Sequence, residues 1–397
     1  MARSLPRGLC CTIGAIMLAA CGGAPAASTV ANANYARVAS AYDDSAPSGE
    51  AAARLEQAVE LIDARELERA IAILEDLRRT MPHNGTVLHE LGLAYRLSGR
   101  PERAVALLTP YSEALGVTAT AALGSAVDEA GDPAGAETVL RRGIARHPHA
   151  GLLFSELAVV VGRQRRLDEA ISLFVAGMAA EPAWPTNYLH AARLIAQSDA
   201  AGLALYWGEI FRLLEPASER SRQMASVMID VLRARVQVGP RDANGEHSVR
   251  VRLAPGSAPA TLNPGGVVTI PFVHALELGE GTTLAIAVVH GLSLASLHAM
   301  RADYLTSDAR FPDTELFRWL SSLAAAGHLE AYDVWLYGPA FPDEASAWVA
   351  SHRDEMSAAL LYIQSHPFRP TVSIAPDAPV RLPARASEPE GSPQGPI

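Results

Sequence analysis

Residues 89–108 read HELGLAYRLSGRPERAVALL, and the fold follows from this stretch. Leu91, Gly92 and Tyr95 share one face of a helix, Ser98-Gly99-Arg100-Pro101 breaks it, and Ala104 and Leu108 mark the facing side of a second helix. The same spacing returns downstream as Leu123, Gly124, Val127, Ala136 and Leu140, then as Leu157, Ala158, Val161, Ala170 and Phe174. It returns again as Ala191, Ala192, Ile195, Ala204 and Gly208, and upstream a shorter version holds Ala58, Leu61, Ala70 and Leu74. Pro82, Pro148, Pro182 and Pro216 close four of these units; the last three lie 34 residues apart, and the first gap of 66 is close to two periods.

The spacing has a steric reason. A small residue at Gly92, Gly124, Ala158 or Ala192 lets the second helix approach the first, and Ala104, Ala136, Ala170 and Ala204 do the same from the other side. The large residue one turn later fills the remaining space and stacks on the next unit, while the closing proline stops the second helix. Two departures stand out. Gly116 occupies a place where proline is usual, and Gly208 replaces a bulky residue in the fifth unit.

This series resembles the tetratricopeptide repeat, with its Leu-Gly/Ala-x-x-Tyr first helix, its small-then-large second helix and its closing proline. The resemblance covers residues 51–217 and implies an α-solenoid whose first helices line a concave groove for an extended peptide or a helix of another protein. Carried over position by position, the groove residues are His89, Leu93, Arg96, Ser125, Asp128, Ser155, Val159, Leu189 and Arg193. Arginine forks onto carboxylates and stacks on aromatic rings, so Arg96 and Arg193 are the leading ligand contacts. Family members that bind chaperone tails use Lys, Arg and Asn in the groove; this chain has no Lys and lacks those Asn positions, so that partner is not expected.

At the N-terminus, Arg3 and Arg7 precede an apolar run from Leu9 to Ala20, too short to span a bilayer. It ends in Leu18-Ala19-Ala20-Cys21-Gly22. This resembles a bacterial lipoprotein signal, which implies cleavage before Cys21, lipid attachment to Cys21, and, with Gly22 rather than Asp next to it, the outer membrane. Cys10 and Cys11 would leave with the signal, making Cys21 the only thiol and excluding an intramolecular disulfide.

The expected organisation is mainly all-α. Residues 1–20 are a signal, 21–50 a tether rich in Ala, Ser, Gly, Asn and Pro, and 51–236 the solenoid with a capping helix from Arg220 to Val236. Residues 237–366 form a mostly helical C-terminal domain, and 367–397 a Pro-rich disordered tail. Within 237–366, Ser248 to Leu253 alternates with period two and Val267 to Val273 is β-branched, suggesting a short β-hairpin. Three tryptophans, Trp319, Trp335 and Trp348, point to a core.

Composition bounds the function. The 397 residues carry 33 basic and 43 acidic side chains for a net charge of −10, and every basic one is Arg. An acidic chain without a basic face argues against a nucleic-acid partner. The lack of Lys removes Walker-type phosphate binding and Schiff-base catalysis. Thr282 to Met300 has no charged residue but is rich in Ala and interrupted by His290, Ser293 and His298, which favours a buried helix over a membrane span. Gly291-Leu292-Ser293-Leu294-Ala295 is a loose match to a nucleophile elbow without the surrounding strands or an ordered Asp and His set. His274, His290, His298, His328 and His352 show no metal-ligand spacing. The expectation is therefore a non-enzymatic, membrane-anchored interaction scaffold needing no cofactor or metal. Two alternatives are an enzyme with a site in the C-terminal half, for which the repeats dock substrate, and a structural or glycan-associated envelope component. Perturbed ionisable groups gathered in a C-terminal pocket would favour the enzyme; an open groove without one would favour the scaffold.

Overall fold

A computed structural model describes residues 42–198, 201–241, 247–251, 260–262, 293–306 and 315–371. The signal, Cys21, the elbow residues Gly291 and Leu292, His274, His290 and the Val267 to Val273 segment lie outside these residues. Five helix pairs follow one another: α1 (Gly49–Asp63) with α2 (Leu67–Thr80), α3 (Gly85–Leu97) with α4 (Pro101–Leu108), α5 (Val117–Glu129) with α6 (Pro133–Arg146), α7 (Gly151–Arg163) with α8 (Leu167–Ala180), and α9 (Pro185–Ile195) with α10 (Ala201–Leu214). Then come α11 (Glu219–Arg235), three antiparallel strands β1 (Val236–Arg241), β2 (His247–Val251) and β3 (Ala260–Leu262), and the helices α12 (Leu294–Thr306), α13 (Glu315–Ala325), α14 (Leu329–Tyr337), α15 (Pro342–Ser351) and α16 (Arg353–Ser365). The hairpin thus forms around the expected alternating segment, but it pairs Val249 with Val238 on one side and with Leu262 on the other.

Proline sets the helix ends. Helical backbone is disfavoured for the residue before a proline, and α2, α6, α8 and α10 each stop two residues before Pro82, Pro148, Pro182 and Pro216. The second unit departs from this: Thr109 before Pro110 keeps helical backbone (φ −53°, ψ −41°), and α4 passes after Leu108 into a single 3₁₀ turn over Thr109–Tyr111 that carries the chain on toward Gly116. Starts are specified as locally. Asn84 and Asp132 accept hydrogen bonds from the amides of Val87 (3.1 Å) and Gly135 (2.8 Å), and Pro101, Pro133 and Pro185 take the first helical turn.

Between the helices of a pair, the small residues do what their spacing requires. A Cβ on Gly124 would lie 2.5 Å from Leu140 Cγ, and one on Gly92 would lie 3.0 Å from Leu108 Cδ1. Ala158 and Ala192 are fully buried at the equivalent positions. Gly208, the departure in the fifth unit, has a reason of its own: Met224 Sδ and Met228 Cγ of α11 stand 3.1 Å from where its Cβ would be. The lost bulk is replaced by two methionines of the capping helix.

The apolar core runs past the repeats. One buried cluster joins Ala58 through Ala126, and a second continues from Ala121 through α11 to Leu297, Leu323, Tyr332, Leu336 and Phe368. Both clusters draw on α5, so stacking is unbroken there. Trp319, Trp335 and Trp348 are half-buried and pack against the second cluster, while Trp207 and Tyr332 are fully enclosed. Ser293 caps α12 in a reciprocal box with Ser296, its amide donating to Ser296 Oγ (2.9 Å) and its Oγ accepting from the Ser296 amide (3.2 Å). Of the uncharged Thr282 to Met300 stretch, the described part begins this helix and buries Leu294 and Leu297. Among the described residues no helix is long and apolar enough to cross a membrane.

Both expected flexible ends are partly docked. The Asp43 amide donates to His83 O (2.9 Å) and its carbonyl accepts from the Gly85 amide (2.7 Å), while Tyr42 Oη occupies the space a Cβ on Gly85 would need. At the other end Phe368 packs on Trp319, with ring centroids 6.0 Å apart, and the Thr371 amide donates to Glu315 Oε2 (2.9 Å).

Charged side chains tie α10 to the C-terminal helices. Arg212 is enclosed and donates to the carbonyls of Leu336 and Trp335 at the end of α14, where the helix dipole favours a cation; burial pulls its pKa down to about 10. Arg301 of α12 donates through Nη2 to Glu209 Oε1 (2.8 Å), and its Nε stands 2.7 Å from Asp333 Oδ1. Tyr332 donates to Glu209 Oε1 (2.7 Å), and His298 Nδ1 lies 2.9 Å from Asp333 Oδ2. The hydrogen bond to Asp333, chiefly, raises the His298 pKa, whereas burial raises that of Asp333 against the pull of Arg301 and His298.

Three outcomes are expected. Gly124→Val should lower stability by about 1–3 kcal/mol through its clash with Leu140, as measured by denaturant unfolding, although valine is the better helix former. Arg301→Met should cost about 3–5 kcal/mol because it strands two buried carboxylates. A raised His298 pKa adds stability that is full below the unfolded value near 6.5 and is lost as pH climbs through the folded value. Thermal unfolding in steps above that pH should show this loss in the native chain and not in His298→Gln.

Candidate functional site

Successive first helices pack against one another, α3 on α5, α5 on α7 and α7 on α9, more closely than successive second helices do. The stack therefore bends with its first helices inside. Their exposed side chains line one inner face, which α11 meets through Gln223.

The structure places the expected groove residues in three groups. Some are locked to the next repeat. Arg96 of α3 forks onto Glu129 of α5, Nε to Oε2 at 2.9 Å and Nη2 to Oε1 at 2.6 Å. Asp128 of α5 accepts from Arg163 Nη1 of α7 (2.6 Å), and Ser125 donates to Glu156 Oε2 of α7 (2.6 Å). These bonds join consecutive first helices, so they fix the pitch of the inner face. Arg96 is consequently occupied by an internal carboxylate, contrary to its expected place as a leading ligand contact. Others are enclosed: Ser155 is 1% exposed and donates to Leu152 O (2.8 Å), and Leu189 is likewise buried, so these two serve packing and do not face a ligand.

The third group stays at the surface. Leu93 and Val159 are half-buried, each packed against the apolar core on one side. His89 keeps a quarter of its side chain accessible, its Nδ1 has no hydrogen-bond partner, and burial together with Arg96 holds it neutral by lowering its pKa. Arg193 is exposed and donates to the neutral Gln223 Oε1 of α11 (3.2 Å). Burial and the like charge of Arg220 lower its pKa. Beside it His190 stacks on Phe174 with ring centroids 5.7 Å apart, and burial, then Arg193 and Arg220, push its pKa down to about 4.

Sequence reading missed Glu129, Glu156, Arg163 and Gln223. Their signal was present as complementary side chains 30 to 35 residues apart, close to one repeat, in first helices. It missed Glu209, Arg212 and Arg301 for a different reason, since they meet partners 92 to 124 residues away with no periodic relation, and Asp333 because its partner His298, 35 residues away, lies outside the repeats.

In the C-terminal half the perturbed ionisable groups and the open cleft do not coincide. Glu209, Arg301, Tyr332 and Asp333 are buried against one another. The cleft of about 520 Å³ is lined by apolar groups including Val334, Trp335, Val349 and Met356, with Arg353 as its ionisable residue. Among the described residues no group of His, Cys, Asp and Glu is arranged to hold a metal ion.

No protein-family model and no curated protein matches the chain. Solved structures align with less than half of the chain. TTC0263, a thermophilic TPR protein of Thermus thermophilus, is 16% identical with a TM-score of 0.40, covering 45% of this chain and 99% of that one. YrrB, described as a TPR protein with an unusual peptide-binding site, is 18% identical with a TM-score of 0.30, covering 44% and 90%. MamA of Desulfovibrio magneticus RS-1 is 16% identical with a TM-score of 0.33, covering 44% and 99%. At these values the likeness says nothing of partner or activity. The 34-residue period, the proline-ended helix pairs and the close approach at Gly92, Gly124, Ala158 and Ala192 make residues 49–214 a solenoid of the tetratricopeptide type.

Proposed function

We propose that this protein is a lipid-anchored scaffold of the bacterial cell envelope that holds a segment of another protein on the inner face of its solenoid, without catalysis. The observation that carries this reading is the inner face itself. Its first helices are braced by inter-repeat bonds, so the surface is pre-organised, while Leu93, Val159, His89 and Arg193 remain available on it. A rigid curved face loses little entropy when an extended segment binds. The lipobox-like Leu18-Ala19-Ala20-Cys21 supports attachment through Cys21, with the outer membrane facing the periplasm as the location. A chain left with one thiol relies on its core, which suits an oxidising compartment as well as a reducing one.

Site-specific photo-crosslinking in cells tests the surface. A crosslinker at Leu93 or Val159 should give one discrete protein adduct, and one at Ser172, exposed on a second helix, should not. An adduct only at Ser172 would move the working surface elsewhere. Attachment is tested separately: Cys21→Ser should shift the protein from the membrane to the soluble fraction, and mass spectrometry of the native N-terminus should find acyl chains on Cys21.

A further inference from the structure

Among the described residues every cation in the middle of the inner face is paired with an acid, and Glu156 takes a hydroxyl donor, whereas at the ends charges of one sign stand together. Arg96 is neutralised by Glu129, and Arg163 by Asp128. Toward the N-terminal end, Glu90 of α3 lies half-buried beside Asp63 of α1, and burial and the Asp63 charge both raise its pKa. The nearest basic group is His89 Nε2, 3.9 Å from Glu90 Oε1, on an imidazole held neutral. At the C-terminal end the arrangement is repeated with the sign reversed. Arg193 has a neutral amide as its hydrogen-bond partner and Arg220 as its charged neighbour, and Arg220 is itself paired with Glu215 (2.9 Å).

Holding like charges together is unfavourable in the free protein, and the same chain avoids it at Arg96, Asp128 and Arg163 by pairing across repeats. A ligand that brings the missing counter-charges would relieve both ends at once.

We infer that the inner face takes an extended segment of a partner protein in one direction only, with an acidic residue of the segment against Arg193 and a basic residue against Glu90 and Asp63. This rests on the inner face being the binding surface. Arg193 supplies a fork for a carboxylate, and Gln223 orients it. Glu90 and Asp63 supply two acceptors for a guanidinium or ammonium. Glu156 in the middle accepts from the neutral Ser125 hydroxyl and adds to the acidic side, so the face runs from acidic toward α1 to basic at Arg193, and this gradient selects direction while the half-buried Leu93 and Val159 contribute apolar contact.

The test uses the full chain. Linear peptides are selected against it from a random display library, and the best binder is remade with its acidic and basic residues exchanged. Fluorescence anisotropy should show the exchanged peptide binding about tenfold or more weakly, which is about 1.4 kcal/mol. The double reversal Glu90→Arg, Arg193→Glu should invert that preference, with the neutral pair Glu90→Gln, Arg193→Gln abolishing it should the reversal fail to fold by circular dichroism. Equal binding of both peptides, with binding still blocked by Leu93→Trp, overturns the directional inference and leaves the groove intact. Binding that survives Leu93→Trp, or a library that yields no binder, overturns the groove reading and the inference with it.

Discussion

Everything in this solenoid depends on how closely the two helices of a pair approach. Where Gly124 faces Leu140 there is no room for even one more carbon, and Gly92 facing Leu108 is nearly as tight. Interiors this dense leave a helix pair one relative position. Once the pair is fixed, the next pair has one place to stack, and the repeated small rotation puts the first helices on the inside. The groove is thus a consequence of glycine and alanine placement within the core, before any groove side chain is considered.

The charged residues then divide into two kinds of work. Ion pairs on exposed faces, such as Arg141 with Glu169, sit half in water and each adds about 0–1 kcal/mol. Pairs between first helices, such as Arg96 with Glu129, are less exposed and forked, so their main effect is geometric. The Glu209, Arg301 and Asp333 set is different again. Bringing these ions out of water is costly, and their attraction does little more than offset that cost. What the set achieves is a unique seating of α12 and α14 on the last repeat, since any shift would leave a buried charge without its partner.

Tyr42 to Ser45 is the first described segment of the chain. This segment is pinned to the turn between α2 and α3 by the Asp43 backbone bonds and by Asn84 Nδ2 donating to Ser45 O (2.8 Å). The described chain therefore enters the fold at a loop edge, at the turn that precedes the first helix of the second unit.

The helix pairs, their ends and their small-residue contacts were legible in the order of amino acids, because each is set by residues within one repeat: Pro82, Pro148 and Pro182 stop helices locally, and Gly124 meets Leu140 only sixteen residues on. The same order named the positions that lie along the first helices, but not which of them are free. Arg96 and Arg193 look alike in sequence; among the described residues one is paired with Glu129 and the other has the neutral Gln223 as its hydrogen-bond partner with a second arginine nearby. That distinction, the burial of Ser155 and the seating of the C-terminal helices through Arg212 and Arg301 emerge only when the chain is folded. The physical reason is that neutralisation and burial depend on what the next repeat, or a helix a hundred residues away, places beside a side chain.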